Sequence, residues 1–315
     1  MRLNVILITI VLGGMISGAV FFIFGYPVEV PNANLEAQPL SGSGEGQQAF
    51  LLPVSESNYL PIRDFNVPEP EIEARAAALY DIRSGRFLFT KNINKRLPIA
   101  SITKLMTAVV VLENLNIDQI FTVSAETINV DGNGADFYKG EQLRVADLLK
   151  IMLVKSSNDA ALTLTVEAQR NGLNLIEKMN EKAQSLGMYN TKFTDPAGLD
   201  DNNAFSTAAD LVKLVHYAES YELISRTLQE ISADVSSVDG RIKHHLLSTN
   251  QLLGQIPNIV LGKTGFTDNA LGTMALEAEI NNGADGIISV ILGSAERFGE
   301  TKKLIEWGKT AYSWE

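Results

Sequence analysis

Two residues of one short motif are suited to nucleophilic catalysis. Ser101 stands three positions before Lys104, so on a helix the two side chains share a face and the ammonium can reach the hydroxyl. A serine hydroxyl needs a neighbouring base, and lysine becomes one when burial or a nearby cation lowers its pKa. The motif alone is weak, since about one S-x-x-K is expected by chance in a chain of this composition.

Two further motifs give the first one its meaning. Ser156-Ser157-Asn158 follows Ser101 by 55 residues, and Lys263-Thr264-Gly265 follows Ser156 by 107 residues. A second S-x-N occurs at Ser248-Thr249-Asn250, so this triplet is also weak alone. The order S-x-x-K, S-x-N, K-T-G is the motif set of class A β-lactamases and penicillin-binding proteins, and it makes the three a single strong signal.

The resemblance extends over residues 74–315. These residues resemble the low-molecular-mass penicillin-binding proteins, the serine D-alanyl-D-alanine peptidases of the D,D-carboxypeptidase type. The segments that match this family are Ala78-Leu79-Tyr80-Asp81, Ala100-Ser101-Ile102-Thr103-Lys104-Leu105-Met106-Thr107-Ala108, Asp195-Pro196-Ala197-Gly198-Leu199 and Ser248-Thr249-Asn250-Gln251-Leu252-Leu253. The last of these explains the second S-x-N without giving it a catalytic role.

The resemblance implies a role for each motif residue. Ser101 would attack the carbonyl of the penultimate D-Ala to form an acyl-enzyme, and Lys104 would accept its proton. Ser156 would relay a proton to the leaving D-Ala nitrogen, and the backbone N–H groups of Ser101 and Phe266 would hold the oxyanion. The implied substrate-binding residues are Asn158 for the substrate amide, Lys263 with Thr264 for the carboxylate, Gly265 for close backbone approach, and Phe266 and Thr267.

The implied function is a serine D,D-carboxypeptidase acting on peptidoglycan stem peptides that end in D-Ala-D-Ala, with β-lactams as covalent inhibitors. A D,D-endopeptidase that cuts cross-links is the alternative, because both reactions attack the same D-Ala carbonyl. A β-lactamase and a non-catalytic β-lactam-sensing module are weaker alternatives. No cofactor or metal is expected, since His244 and His245 are adjacent on a predicted strand and point to opposite faces. His216 is explained by helix packing.

One departure from the family pattern concerns the turn after the K-T-G strand. The family usually reads K-T-G-x-T-x-x-A-G, whereas here Ala270 is followed by Leu271 before Gly272. Glycine is the residue that readily adopts a left-handed backbone conformation in a turn. The sequence therefore leaves the geometry of this turn open, but not the strand itself.

Composition excludes several other classes. The chain has 315 residues, 26 Lys and Arg against 37 Asp and Glu, a net charge of −11 and no cysteine. A protein with a net negative charge is repelled by the phosphates of nucleic acids, so nucleic-acid binding is not expected. The absence of cysteine excludes disulfides and a thiolate nucleophile.

The N-terminal region predicts a membrane anchor and a linker. Twenty uncharged residues run from Val5 to Phe24, about the length that spans a bilayer, with no small-residue cleavage site beyond them. Because Arg2 is the only charged side chain before them, we expect residues 1–25 to be a single-pass anchor with a cytoplasmic tip. Residues 26–70, rich in proline and glycine, are expected to be a flexible linker to an extracytoplasmic peptidase domain over residues 71–315.

The catalytic domain is expected to have an α/β fold of the α+β type, β-lactamase/transpeptidase-like. A hairpin is predicted over residues 76–89, helices over 101–115, 145–154, 158–169, 173–186 and 207–220, and a final helix over 300–312. Short strands are predicted over 231–235, 242–247, 258–265, 273–280 and 286–292. This order predicts a mixed sheet covered by helices. The resemblance implies that the sheet is mostly antiparallel and that a helical subdomain is inserted.

Overall fold

A five-stranded antiparallel sheet organises the protein. The computed structural model describes residues 60–128 and 131–314. The sheet contains β2 (Ala76–Asp81), β3 (Arg86–Lys91), β8 (Ile259–Thr267), β9 (Leu271–Ile280) and β10 (Asp285–Ser294). Its strand order is β3-β2-β10-β9-β8, so the K-T-G strand lies at one edge. The predicted hairpin and the mostly antiparallel sheet are confirmed.

Alternating side chains of the sheet divide the core between its two faces. Ala76, Ala78 and Tyr80 of β2 belong to the larger hydrophobic cluster, and Ala77 and Leu79 belong to the smaller one. This is the period of two expected of a strand whose two faces are both covered. The sheet is therefore a central layer between helices, as the sequence predicted.

The larger cluster is built around a helix that is buried on every side. The chain first makes a short 3-10 turn, Ala100–Ile102, and continues as α1 (Thr103–Asn114). All residues of α1 from Thr103 to Val111 are buried. A helix that is apolar all around belongs in the centre of a domain, and this one carries the S-x-x-K motif.

The remaining helices surround α1 and the sheet. Four of the predicted helices are present as α2 (Val145–Val154), α3 (Asn158–Arg170), α4 (Leu175–Ser185) and α5 (Ala208–Glu219). The C-terminal helix α7 (Arg297–Ala311) begins three residues earlier than predicted and covers the opposite face of the sheet. None of the helices in the described ranges is both long enough and apolar enough to cross a membrane.

Among the small elements that were not predicted, three lie within the helical part of the chain. They are the helix α6 (Glu222–Gln229) and the paired strands β4 (Ile120–Thr122) and β5 (Gln142–Arg144). Strands of three residues are too short to show a period in the sequence. The predicted strands β6 (Ser232–Ser236) and β7 (Lys243–Leu247) are present, but they pair only with each other rather than joining the central sheet.

The folded part begins before the predicted boundary at residue 71. Strand β1 (Ile62–Arg63) pairs with β11 (Tyr312–Ser313), and the Arg63 guanidinium lies 4.5 Å from the centre of the Trp307 ring. The end of the predicted linker is thus wrong over these residues, because backbone pairing and a cation–π contact hold them against the C-terminus. The predicted anchor and most of the linker lie outside the described residues.

The turn between β8 and β9 forms with leucine at the position where the family pattern has glycine. Leu271 has a φ of 57°, in the left-handed region, and pairs with Thr267 across the turn. A non-glycine residue costs about 1–2 kcal/mol in this conformation because its Cβ crowds the following carbonyl oxygen. The register between β8 and β9 is kept, and the effect of leucine in place of glycine is backbone strain at Leu271.

We predict that Leu271→Gly is more stable than Leu271→Ala by about 1 kcal/mol, the reverse of the usual order. Both variants remove the same half-buried side chain, so their difference isolates the backbone conformation. Urea denaturation of the two purified variants measures it. An alanine variant that is equal or more stable would show that this turn carries no strain.

Candidate active site

The serine of the first motif lies at the start of the buried helix, in the cleft between the helices and the edge of the sheet. Ser101 is in the 3-10 turn that leads into α1, and the residue before it, Ala100, has a φ of 50°. Gly198 lies against this turn, where a Cβ on Gly198 would be 1.9 Å from the Ala100 carbonyl oxygen. The turn can therefore form only with glycine at position 198.

Lys104 is the partner of Ser101. Its side chain is completely buried, and its Nζ lies 2.8 Å from Ser101 Oγ, 2.7 Å from Asn158 Oδ1 and 2.8 Å from the Ala197 carbonyl oxygen. Burial lowers the pKa of Lys104 well below its ordinary value, and the charge of Lys263 lowers it further, while Asp195 opposes both. A lysine with a lowered pKa can take the hydroxyl proton of Ser101.

The loop that supplies the Ala197 carbonyl is shaped by one carboxylate. Asp195 Oδ1 accepts hydrogen bonds from the backbone N–H groups of Ala197, Gly198 and Leu199 at 2.7, 2.7 and 3.2 Å. The matching segment Asp195-Pro196-Ala197-Gly198-Leu199 thus has a structural use, which is to hold both Gly198 and the Ala197 carbonyl beside the motif.

The second lysine forms a separate pair with the second motif. Lys263 is 1% exposed, and its Nζ donates to Ser156 Oγ at 2.7 Å and to the Thr264 carbonyl oxygen at 3.0 Å. Burial lowers the pKa of Lys263 to about 7, and the nearby Arg297 guanidinium contributes. Ser156 has a φ of 60°, and this left-handed conformation lies at the turn between α2 and α3.

Asn158 joins Lys104 to a loop on the rim of the cleft. Its Oδ1 accepts from Lys104, and its Nδ2 donates to the Asp131 carbonyl oxygen at 2.6 Å. Its backbone N–H donates to the Asn133 carbonyl oxygen at 2.7 Å. The side chain that the resemblance assigned to the substrate amide therefore also positions the lysine, and one Nδ2 proton is left for a substrate.

The wall of the cleft is the edge strand β8. Gly265 packs against the 3-10 turn so closely that a Cβ there would be 2.9 Å from the backbone nitrogen of Ser101. Phe266 is 59% exposed at the rim. The Thr264 hydroxyl hydrogen-bonds the Thr249 hydroxyl at 2.6 Å, and Thr267 Oγ1 donates to Asp200 Oδ1 at 2.5 Å.

All nine site residues proposed from the sequence lie in or directly under one cleft. The cleft has a volume of about 740 Å³, and seven of the nine line it, while the buried lysines Lys104 and Lys263 reach its floor through Ser101 and Ser156. Three of the further lining residues, which the sequence did not assign to the site, carry polar or charged side chains that face the motif residues: Thr249, Asp200 and Arg297. Neither Asp200 nor Arg297 belongs to one of the three motifs, and no spacing in the sequence links Arg297 to them.

The histidines are placed outside this cleft. His244 is buried with its Nε2 2.6 Å from Glu141 Oε1, and His245 is exposed with its Nδ1 2.9 Å from Asp234 Oδ1. They point to opposite faces of β7, as predicted. None of the three histidines lines the cleft, so the base nearest to Ser101 is a lysine.

The geometry can support acyl transfer. A hydroxyl lies within hydrogen-bond distance of a buried amine, a second lysine and hydroxyl lie opposite, and Arg297 adds a cation to the same cleft. Backbone N–H groups at a helix start and on an adjacent edge strand are the kind of donors that hold an oxyanion.

Curated relatives and solved structures agree with this geometry. Over 246 residues the chain is 31% identical to the D-alanyl-D-alanine endopeptidase of Pseudomonas aeruginosa, an alignment of 77% of this chain and 79% of that protein. It is 29% identical over 248 residues to the D-alanyl-D-alanine carboxypeptidase DacF of Bacillus subtilis, covering 76% and 63% of the two chains.

The fold is shared with a solved penicillin-binding protein. Penicillin-binding protein D2 from Listeria monocytogenes, in its cefotaxime-bound form, superposes with a TM-score of 0.66 at 35% identity, covering 76% of this chain and 99% of that one. The fold is therefore transpeptidase-like, as expected from the sequence. The family model described as D-alanyl-D-alanine carboxypeptidase matches residues 63–296. With the motifs gathered in one cleft, this match shows that the chain belongs to the D-alanyl-D-alanine carboxypeptidase family.

Proposed function

We propose that the cleft hydrolyses the terminal D-Ala-D-Ala bond of peptidoglycan stem peptides through an acyl-enzyme on Ser101. The observation that carries this proposal is the contact of Ser101 Oγ with the fully buried Lys104, whose pKa is lowered by its surroundings. The names of the relatives supply the substrate class. β-Lactams, which acylate the same kind of serine, are its covalent inhibitors.

The first step uses the two sides of the cleft together. Neutral Lys104 takes the proton of Ser101 as the Oγ attacks the carbonyl of the penultimate D-Ala. The backbone N–H groups of Ser101 and Phe266 hold the developing oxyanion, a contribution of about 2.7–4 kcal/mol per donor in serine peptidases. Ser156 donates its Oγ proton to the nitrogen of the leaving D-Ala as the C–N bond breaks, and charged Lys263, which contacts Ser156 Oγ, replaces that proton. Water then attacks the acyl carbonyl, its proton passes through Ser156 to Lys263, and Lys104 returns its proton to Ser101 Oγ.

Substrate binding follows from the charges and the free strand edge. The carboxylate of the terminal D-Ala lies between Lys263 and Arg297, the two cations of the wall. The peptide backbone extends along the outer edge of β8, where strand addition gives main-chain hydrogen bonds. Asn158 offers its remaining Nδ2 proton to the substrate amide, and Thr264 and Thr267 line the carboxylate end.

A D,D-endopeptidase is the second candidate, favoured by the identity to the endopeptidase of P. aeruginosa. Both reactions use the same serine, and they differ in what leaves: a free D-Ala, or the amine of a cross-linked second stem. Turnover of a pentapeptide monomer and of a cross-linked dimer by one preparation separates them. We expect the monomer to be turned over faster, and a faster dimer reaction would assign the endopeptidase.

We also propose that residues 1–25 anchor the protein in the cytoplasmic membrane, with the catalytic domain on the extracytoplasmic side. The uncharged run from Val5 to Phe24, preceded by Arg2, supports this arrangement. It would hold the cleft near the cell wall, where stem peptides are found.

The anchor predicts that the native protein keeps its N-terminus and needs detergent for extraction from membranes. Mass spectrometry of the N-terminal peptide, with a variant lacking residues 1–25 as the detergent-independent control, measures both. A mature chain beginning near Gly25 would show that the segment is a cleaved signal peptide.

The nucleophile is tested by labelling with a fluorescent penicillin. We expect Ser101→Ala to lose the covalent adduct and D-Ala release completely, because no other cleft hydroxyl contacts Lys104 in the described residues. Ser248→Ala, which changes the first residue of the second S-x-N motif, is the matched control and should label as the wild type does. If Ser101→Ala still forms the covalent adduct to the same extent as the wild type, Ser101 is not the nucleophile.

The two buried lysines are distinguished by arginine substitution. Arginine stays protonated in proteins, so Lys104→Arg should lose acylation almost completely, whereas Lys263→Arg keeps its charge and should react at least tenfold faster than Lys104→Arg. Both substitutions place a larger side chain at a buried position, so any loss of rate caused by overpacking is expected in both variants. Equal residual rates would contradict this division.

The acylation rate, measured across pH 5–10, should change in opposite directions as each lysine loses its proton. Neutral Lys104 is the active form, so the rate should rise with pH through its lowered pKa. Charged Lys263 is the active form, so the rate should fall as pH rises through a pKa of about 7. In Lys263→Arg the alkaline fall should disappear while the acidic rise remains.

A further inference from the structure

A second group of ionisable side chains lies on the face of the sheet that packs against α5, away from the cleft. His216 and Glu219 stand three positions apart on α5, so they share one helix face, and Glu277 lies on β9. Glu277 is five residues along β9 from Gly272, or about 17 Å at the rise of an extended strand. The motifs of the cleft do not include any of the three.

One atom of each side chain points toward a common centre. A ring nitrogen of His216 and one carboxylate oxygen each of Glu219 and Glu277 all lie within 4.8 Å of one another. His216 Nδ1 is 3.8 Å from Glu219 Oε2. Ligand atoms around a tetrahedral zinc ion, with bonds of about 2.0–2.1 Å, are about 3.3 Å apart. Small side-chain rotations therefore complete a metal-binding geometry.

Glu277 supplies the independent observation that points to a cation. It is only 3% exposed, and its Oε2 has no hydrogen-bond partner within the described part of the chain. A buried carboxyl oxygen without a donor is costly, since it has lost water and gained nothing. Burial raises the pKa of Glu277 to about 9, and the carboxylates of Glu219 and Glu279 contribute, so a cation bound here would take the place of the Glu277 proton.

An entry path from the surface reaches Glu219, one of the three side chains. A cavity of about 310 Å³ is lined by Glu219, Ser225, Gln229, Asn258, Val260 and Glu279, and it brings the surface to Glu219. Such a cavity supplies the water that fills the open position of a three-ligand site.

We propose that His216, Glu219 and Glu277 form a structural site for a divalent transition metal, with Zn²⁺ as the ion that this ligand set suits best. One imidazole and two carboxylates are ligands that zinc accepts, whereas Ca²⁺ and Mg²⁺ prefer oxygen alone. The ion would join α5 to β9 and neutralise the buried carboxylate. It lies outside the cleft, so this inference does not depend on the proposed reaction.

The test is calorimetric titration of Zn²⁺ into the untagged, EDTA-stripped full chain in detergent. We expect one ion per chain in the wild type. Glu277→Gln and His216→Gln should each weaken binding at least tenfold, about 1.4 kcal/mol. Glu279→Gln is the matched control: it removes an exposed carboxylate of the same strand that is not a ligand, and should change the affinity less than threefold.

Thermal unfolding gives a second readout, because an ion that binds only the folded state raises Tm. Zn²⁺ should raise Tm of the wild type and of Glu279→Gln, and leave Tm of Glu277→Gln unchanged. Penicillin labelling of Ser101 in every variant verifies that the chain is folded. Absence of one-to-one binding in the wild type, or any other order of the variants, would overturn the site.

Discussion

The burial of two lysine side chains is the constraint on which the site depends. Lys104 and Lys263 are 0% and 1% exposed, and moving an ammonium group out of water costs several kcal/mol. The surrounding structure provides oxygen acceptors in return: Ser101, Asn158 and Ala197 for one lysine, Ser156 and Thr264 for the other. These acceptors reach the lysines because α1 lies at the centre of the domain and because Gly198 and Gly265 allow close packing.

The charge of Lys263 also affects the chemistry of Lys104. The charge of Lys263 helps to lower the pKa of Lys104, and Arg297 helps to lower that of Lys263. Arg297 thus acts on Lys263 and Lys263 on Lys104, and Lys104 is the amine that is most easily kept neutral. A substrate carboxylate entering beside Lys263 and Arg297 would weaken this effect, so binding and proton transfer are electrostatically connected in one cleft.

The sequence predicted the catalytic motifs and the main elements because each has a strong local signature. The apolar run of α1, the hairpin predicted over residues 76–89 and the spacing of the three motifs were enough to predict that Ser101, Ser156 and Lys263 belong to one site. Arg297 was missed because its place depends on β10 ending beside β9, a tertiary relation without a local pattern. The pairing of β1 with β11 was missed for the same reason, since its two residues meet a partner 250 positions away.

The structure gives Asn158 more roles than the motif predicted, for a similar reason. A motif assigns one role to a residue, whereas the structure gives Asn158 three hydrogen bonds, to Lys104, Asp131 and Asn133. The rim loop is therefore fastened to the same amide that orients the buried amine. Sequence spacing shows that such residues meet, but it does not show how many partners they share.

The position of β8 at the edge of the sheet has a consequence for how copies of the protein behave toward one another. An edge strand with unpaired backbone groups can accept any extended chain, including the edge of a second molecule. Exposed Phe266 on the same strand adds an apolar contact for such an encounter. The net charge of −11 opposes it, because like-charged molecules repel one another at long range. The edge on which we propose that the peptide binds is therefore also the edge through which two copies could associate.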